Sequence, residues 1–236
     1  MAKSIQTLVY EELRKNILSL HLKPGQAMST QEIATKLNVS RTPVREAFLK
    51  LQEQGLVEMI PQKETTVSKI NLKRANQEKF LRESLELGIV RKFMEHGTSE
   101  IKEQTIFNMM ANITKQRNCV KEQDFVSFLN ADDTFHSLLF AAVEETMSWD
   151  IIKQQCGHYD RMRILFVQDE EAAKSSIEQH ENIVRLLEKD DQKNAIDAML
   201  HHIRRPEFDD SRITNEYPDY FQQDDADKKE FRLGTL

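Results

Sequence analysis

The run Ser40-Arg41-Thr42-Pro43-Val44-Arg45-Glu46-Ala47 constrains this chain more than any other stretch, because it reads as the opening turns of a helix built to lie on DNA. Ser40 suits the N-cap, Pro43 is tolerated in a first turn whose N–H groups have no intrahelical partner, and Glu46 suits the positive end of the helix dipole. Arg41 and Arg45 are four apart and share one face, while Val44, Ala47, Phe48 and Leu51 supply an apolar face for a small core. Upstream, residues 30–37 predict a short amphipathic helix packed by Ile33, Ala34 and Leu37, and Asn38-Val39 is a tight connection. That spacing is helix-turn-helix. Beyond Gly55, placed to end the second helix, residues 56–60 and 65–68 read as strands joined by the polar turn Pro61-Gln62-Lys63-Glu64, which makes the motif a winged one.

Residues 4–68 resemble the N-terminal winged domain of GntR-type bacterial transcription regulators, with Val39 through Ala47 matching that family's best-marked run. The resemblance implies that Gln31, Ser40, Arg41, Thr42 and Arg45 face a double-stranded DNA operator and that the hairpin tip reaches toward a minor groove. Two positions depart from the pattern. Position 31 often carries arginine in such regulators, and the tip usually has glycine where this chain has Glu64. A carboxylate repels phosphates, so either Glu64 points away or the wing contributes little and Lys63 makes the contact.

At 236 residues the chain exceeds a typical single domain. Residues 1–71 hold ten Lys/Arg against seven Glu and no Asp, a net charge of +3, although the whole chain carries −6. The positive half is thus the one with the winged motif. Cys119 and Cys156 lie far apart with no CxxC pattern, which indicates ordinary reduced thiols rather than a disulfide framework or a thiolate zinc site. No apolar run approaches bilayer length and no signal-peptide core is seen at the N-terminus, so a cytoplasmic location away from the membrane is expected.

From residue 77 onward the pattern is helical throughout, over about 77–96, 99–121, 123–143, 148–166, 173–188 and 191–204, after a polar connection at 71–76. The acidic stretch 206–236 is expected either to be disordered or to pack back through its aromatics. The fold expected is mainly α, a winged helix-turn-helix at 1–70 followed by an all-helical bundle at 77–205.

Four potential metal ligands interrupt the apolar stripes of three of these helices. Asp132 and His136 lie with Phe125, Phe128 and Leu139, His180 with Ile177, Val184 and Leu187, and His202 with Ala195 and Met199. An unpaired carboxylate on a core stripe is expensive, and a metal with three neutral imidazoles is a strong candidate partner, an arginine or a cap being the others. His201 points about a hundred degrees from His202 and falls outside the set. Imidazole ligands favour a divalent Zn, Ni or Mn ion over Ca. Arg82, ahead of Leu85, Ile89 and Phe93, and Arg163, after Ile152, Cys156 and Tyr159, also fall on inward faces, and buried guanidinium groups want anionic partners.

The runs Asp132-Asp133-Thr134-Phe135-His136, His180-Glu181-Asn182-Ile183 and 195–203 resemble the effector-binding FCD domain of the FadR-type branch of the same regulators. Glu145 stands where these domains often have asparagine. The resemblance implies that Asp132, His136, His180 and His202 hold a divalent metal ion inside a dimerising helical domain, and that an arginine such as Arg82 helps hold an organic-acid effector. An internal Arg82–Glu86 ion pair is an equal alternative. The function expected is a homodimeric transcription regulator controlled by a small carboxylate metabolite. Two alternatives remain open at this point, a metal-dependent hydrolase and a DNA-binding dimer with no small-molecule input.

Overall fold

Ser4 accepts the Thr7 N–H and starts α1 (Ile5–Leu18), whose Val9, Leu13 and Ile17 recur at four-residue spacing on the buried face of the N-terminal core. The computed structural model describes residues 3–60, 64–205 and 210–223. Ser29 caps α2 (Thr30–Lys36), Asn38 turns through a left-handed φ of 51°, and α3 (Arg41–Glu53) follows. Ser40 occupies the N-cap of α3 as expected, but its hydroxyl makes no capping bond and stays exposed. Gly55, with φ of 71°, ends α3 in a conformation that favours glycine. Strands β2 (Val57–Met59) and β3 (Thr65–Val67) form the hairpin. A third strand absent from the sequence reading, β1 (Ala27–Met28), pairs antiparallel with β3, giving the order β1-β3-β2. Two residues are too few to show an alternating pattern.

Then come α4 (Leu72–His96), α5 (Ser99–Lys121), α6 (Phe125–Ala142), α7 (Thr146–Gln155), α8 (Gly157–Val167), α9 (Glu170–Glu188) and α10 (Gln192–Arg204). The connection expected over 71–76 is helical from Leu72, because the Asn71 side chain caps the Arg74 N–H and starts α4 early. The joint between the two domains thereby shortens to residues 68–71. The single helix expected over 148–166 is two, divided at Cys156. Two long-range contacts account for the division. The buried Glu78 carboxylate of α4 accepts the His158 and Tyr159 N–H groups at 2.8 and 2.9 Å, which satisfies orphan donors in the first turn of α8. Gly157 presses against the winged domain, where a Cβ would lie 2.7 Å from Leu56 Cδ2.

Helix α8 therefore abuts the winged domain directly. Fully buried Arg161 donates to the Ser68 carbonyl at 2.6 Å and to the Ser68 hydroxyl at 3.3 Å. Arg74 donates to the Gln54 carbonyl at 2.8 Å, and Arg14 of α1 to the Lys153 carbonyl. Residues 210–223, the described part of the acidic stretch, pack back. Here α11 (Asp210–Glu216) buries Ile213, and Phe221 is buried beside Ile70, whose backbone exchanges hydrogen bonds with Tyr220 and Gln222 at 2.8 and 2.9 Å. The rest of that stretch, 206–209 and 224–236, lies outside the described residues. Both cysteines are free and buried. Among the described residues no helix is long and apolar enough to cross a membrane.

Candidate metal centre

Asp132 and His136 stand one turn apart on α6, His180 projects from α9 and His202 from α10, and one ligand atom from each falls within 4.8 Å of the others. Asp132, His136 and His180 are wholly buried and His202 nearly so. His201 is exposed and stays outside the cluster, as its helical angle predicts.

The rings are aimed from behind. His180 Nδ1 pairs with Gln116 Oε1 at 2.8 Å, and His202 Nδ1 with Gln179 Oε1 at 2.9 Å. An amide oxygen only accepts, so with the amides placed this way both Nδ1 atoms carry the proton. His136 Nδ1 faces the Glu86 carboxylate, 2.5 Å from Oε2. The lone pairs on three Nε2 atoms consequently converge, with His136 and His180 at 3.2 and 3.1 Å from His202 Nε2. Such nitrogens repel unless a cation lies between them. Protonation is a poor remedy, since burial pushes the His180 imidazole down to about 3 and holds His202 well below its ordinary value. Asp132 Oδ1 is buried with no hydrogen-bond partner. Three imidazoles and one carboxylate, two of the rings oriented by outer amide oxygens and the third backed by Glu86, fit a borderline divalent ion.

Of the arginines expected here, Arg82 makes the internal alternative real through a close ion pair with Glu86, and its Nη2 comes to 3.7 Å of Asp132. Burial raises the Glu86 carboxyl, but the Arg82 guanidinium leads the interactions that outweigh it and hold the group at about 2. Arg163 meets Asp132 in a close ion pair and reaches Asp133 and Asp160 at 2.9 Å each. A third cation, Arg205, joins them from the left-handed residue that ends α10, with φ of 46°. Gln116 interrupts the apolar stripe of α5, a signal of the same kind as the histidines. Arg205 and Gln179 carry no such periodic mark.

On the winged domain, Gln31, Ser40, Arg41, Thr42 and Arg45 are all exposed, and Arg41, Thr42 and Arg45 line a shallow recess of about 410 Å³ with Thr30. Pro43, Val44, Ala47, Phe48 and Leu51 anchor the opposite face of α3 in the core. Glu64 is exposed, and Lys63 lies outside the described residues.

Residues 5–67 match the bacterial regulatory proteins of the gntR family, and residues 80–205 match the FCD domain. The chain belongs to the GntR family, in its FadR-type branch. As a GntR regulator it is a DNA-binding transcription factor, so the hydrolase alternative falls away. It is 30% identical over 216 residues to the HTH-type transcriptional repressor RspR of Escherichia coli (strain K12), covering 92% of this chain and 93% of that protein. It is 31% identical to an uncharacterized HTH-type regulator in an unstable DNA locus of Streptomyces ambofaciens, over 92% of this chain and 90% of the relative. The fold is similar to that of E. coli McbR/YncC, with a TM-score of 0.75 at 19% identity over 92% of this chain and all of the other.

Proposed function

We propose that this regulator acts in the cytoplasm as a homodimer on a palindromic operator, with its DNA affinity set by a small organic acid held beside a divalent ion in the helical domain. Repression is the favoured direction of control, by analogy with RspR. The observation that carries the reading is the inward convergence of three imidazole Nε2 atoms beside the unpartnered Asp132 oxygen. Asp132, His136, His180 and His202 would hold the ion, with Zn, Ni or Mn favoured by the imidazoles. Such an ion offers the effector's carboxylate a Lewis-acid contact, and Arg82 and Arg163, each paired with carboxylates, border it.

Helix α8 supplies a route between the sites. Arg163 on α8 touches the metal ligand Asp132, and Arg161 on the same helix holds Ser68 at the foot of the wing. A displacement of α8 that favours the ligand-bound state therefore alters the angle of the winged domain. The coupling equals the effector's preference for one arrangement over the other, typically about 1–3 kcal/mol.

The purified protein should retain about one divalent ion per chain, read by plasma mass spectrometry. His180→Ala or His202→Ala should remove most of it and His201→Ala should not. Sugar acids, hydroxy acids and dicarboxylates are then screened by thermal shift, and operator binding is repeated with each hit. Hits that persist unchanged in an Arg82→Ala, His180→Ala double variant would place the sensor elsewhere.

On the DNA side, Arg45→Ala should weaken specific operator binding by about 1–3 kcal/mol and random DNA by less, as expected for a bidentate base contact. Equal losses on both duplexes in a gel-shift titration would demote Arg45 to a phosphate contact.

A further inference from the structure

The three buried arginines around the metal centre are not equivalent. Arg82 is neutralised by Glu86, and Arg163 by Asp132, Asp133 and Asp160, with only its Nε unpartnered. Among the described residues Arg205 has only a distant carboxylate partner, Asp132. Its guanidinium is 6% exposed, its Nε and Nη1 make no hydrogen bond, and its Nη2 comes only to 3.9 Å of Asp132 Oδ1. A cation in this position costs several kcal/mol unless an anion completes it, on the order of the penalty for any uncompensated buried charge. Arg205 ends α10 in the left-handed region, which five other non-glycine residues also adopt elsewhere among the described residues, and its side chain is buried.

We propose that Arg205 is the anion anchor of the effector, offering its unpaired Nε–H to a carboxylate that reaches the metal side of the pocket. The proposal rests on the organic-acid reading above and names the residue that selects the ligand, in place of the already satisfied Arg82 and Arg163. The 3.9 Å approach to Asp132 puts the anchor beside a metal ligand, so one acid can address both. The cavity lined by Tyr159, Arg163, Ile203 and Arg205 measures about 20 Å³. That is room for about one water, whereas ligand pockets usually hold roughly 300–1,000 Å³. None of the four candidate metal ligands lines this recess, so an acid that addressed both Arg205 and the ion would have to part α4, α8 and the end of α10. Opening at α8 is the movement that Arg161 would transmit to Ser68.

The test uses the full-length, zinc-loaded chain and isothermal calorimetry with lactate, malate, succinate, citrate and gluconate, comparing the wild type with Arg205→Gln and Arg205→Lys. Arg205→Gln should lower the affinity of every acid that the wild type binds by tenfold or more at unchanged zinc content, and Arg205→Lys should restore part of it. In the ligand-free state Arg205→Gln should leave the melting temperature unchanged or raise it, since it removes an uncompensated charge. Acid binding within twofold of wild type in Arg205→Gln overturns the assignment to Arg205 while leaving the effector reading intact. A ligand-free melting temperature lowered by several degrees also overturns it, because Arg205 would then be a structural partner of Asp132. A wild type that binds none of the acids overturns the organic-acid reading and the guest named for Arg205 with it.

Discussion

Asp132→Ala is expected to abolish metal retention and to destabilise the helical domain by about 3–5 kcal/mol, the usual result of removing one partner from a buried charge cluster. Asp132 Oδ2 is in close contact with Arg163 and lies 3.6 Å from His136 Nε2, while Oδ1 lies 3.6 Å from His180 Nε2. Burial alone would raise its carboxyl pKa, yet the Arg163 and Arg82 guanidinium groups hold it well below the usual carboxylate range. The side chain is thus charged in the folded protein and balances Arg82 on α4 and Arg163 on α8 together. Asp132→Asn keeps the shape and loses the charge, so it should lose the ion as completely while unfolding later than the alanine variant. Urea titration followed by helical circular dichroism, with metal content measured on the same samples, reads both effects. Unchanged metal content and an unchanged midpoint in Asp132→Ala would refute the site.

Acid lability is the second large effect, and it is expected at the domain joint through His158. Its Nδ1 accepts from the Asn71 N–H at 3.0 Å and from Arg161 at 3.1 Å, and the ring is 3% exposed. Burial, then the Arg161 and Arg74 charges, push its pKa from 6.5 down to about 3, with the Gly55 backbone opposing weakly. Glu78 is the acidic group nearest in this network, and it is already committed to Arg74 and to the His158 and Tyr159 amides. Above pH 6.5 both folded and unfolded states hold His158 neutral, and its contribution to stability is complete. As pH falls from 6.5 toward 3 the unfolded chain binds the proton and the folded chain does not, so stability is lost, by roughly 3–5 kcal/mol if the fold survives to the lower limit. His158→Gln keeps an acceptor without a titrating ring, and it should flatten the fall in melting temperature between pH 6.5 and 4 relative to wild type. Parallel slopes for the two proteins would show that His158 does not carry the effect.

How far the chain could be read without coordinates follows from how local each signal is. The winged motif is spelled by contiguous residues, from the Ser40–Ala47 run to Gly55, and α5 spans the range 99–121 that its periodicity predicts. The four candidate ligands were legible because a polar residue on an apolar helical stripe has to face the core, and that test needs only positions three and four apart. Each helix in this way states which of its faces is buried and which residues on it are out of place there.

The partner of each misplaced residue is a different matter, since it belongs to another helix. That Arg82 is absorbed by Glu86 while Arg205, among the described residues, has only the distant Asp132 as counter-charge depends on α4, α8 and the end of α10 meeting around Asp132. That Gln116 and Gln179 set the ring tautomers depends on α5 lying against α9 and on the end of α10 reaching α9. The break at Cys156 and the early start of α4 at Leu72 likewise follow from Glu78 capping α8 and from α8 packing on Leu56. Hydrophobic periodicity is an order along one chain segment and settles which side chains go inside. Charge compensation is an equilibrium among segments far apart in sequence, so only their assembly decides which buried cation remains available to a ligand.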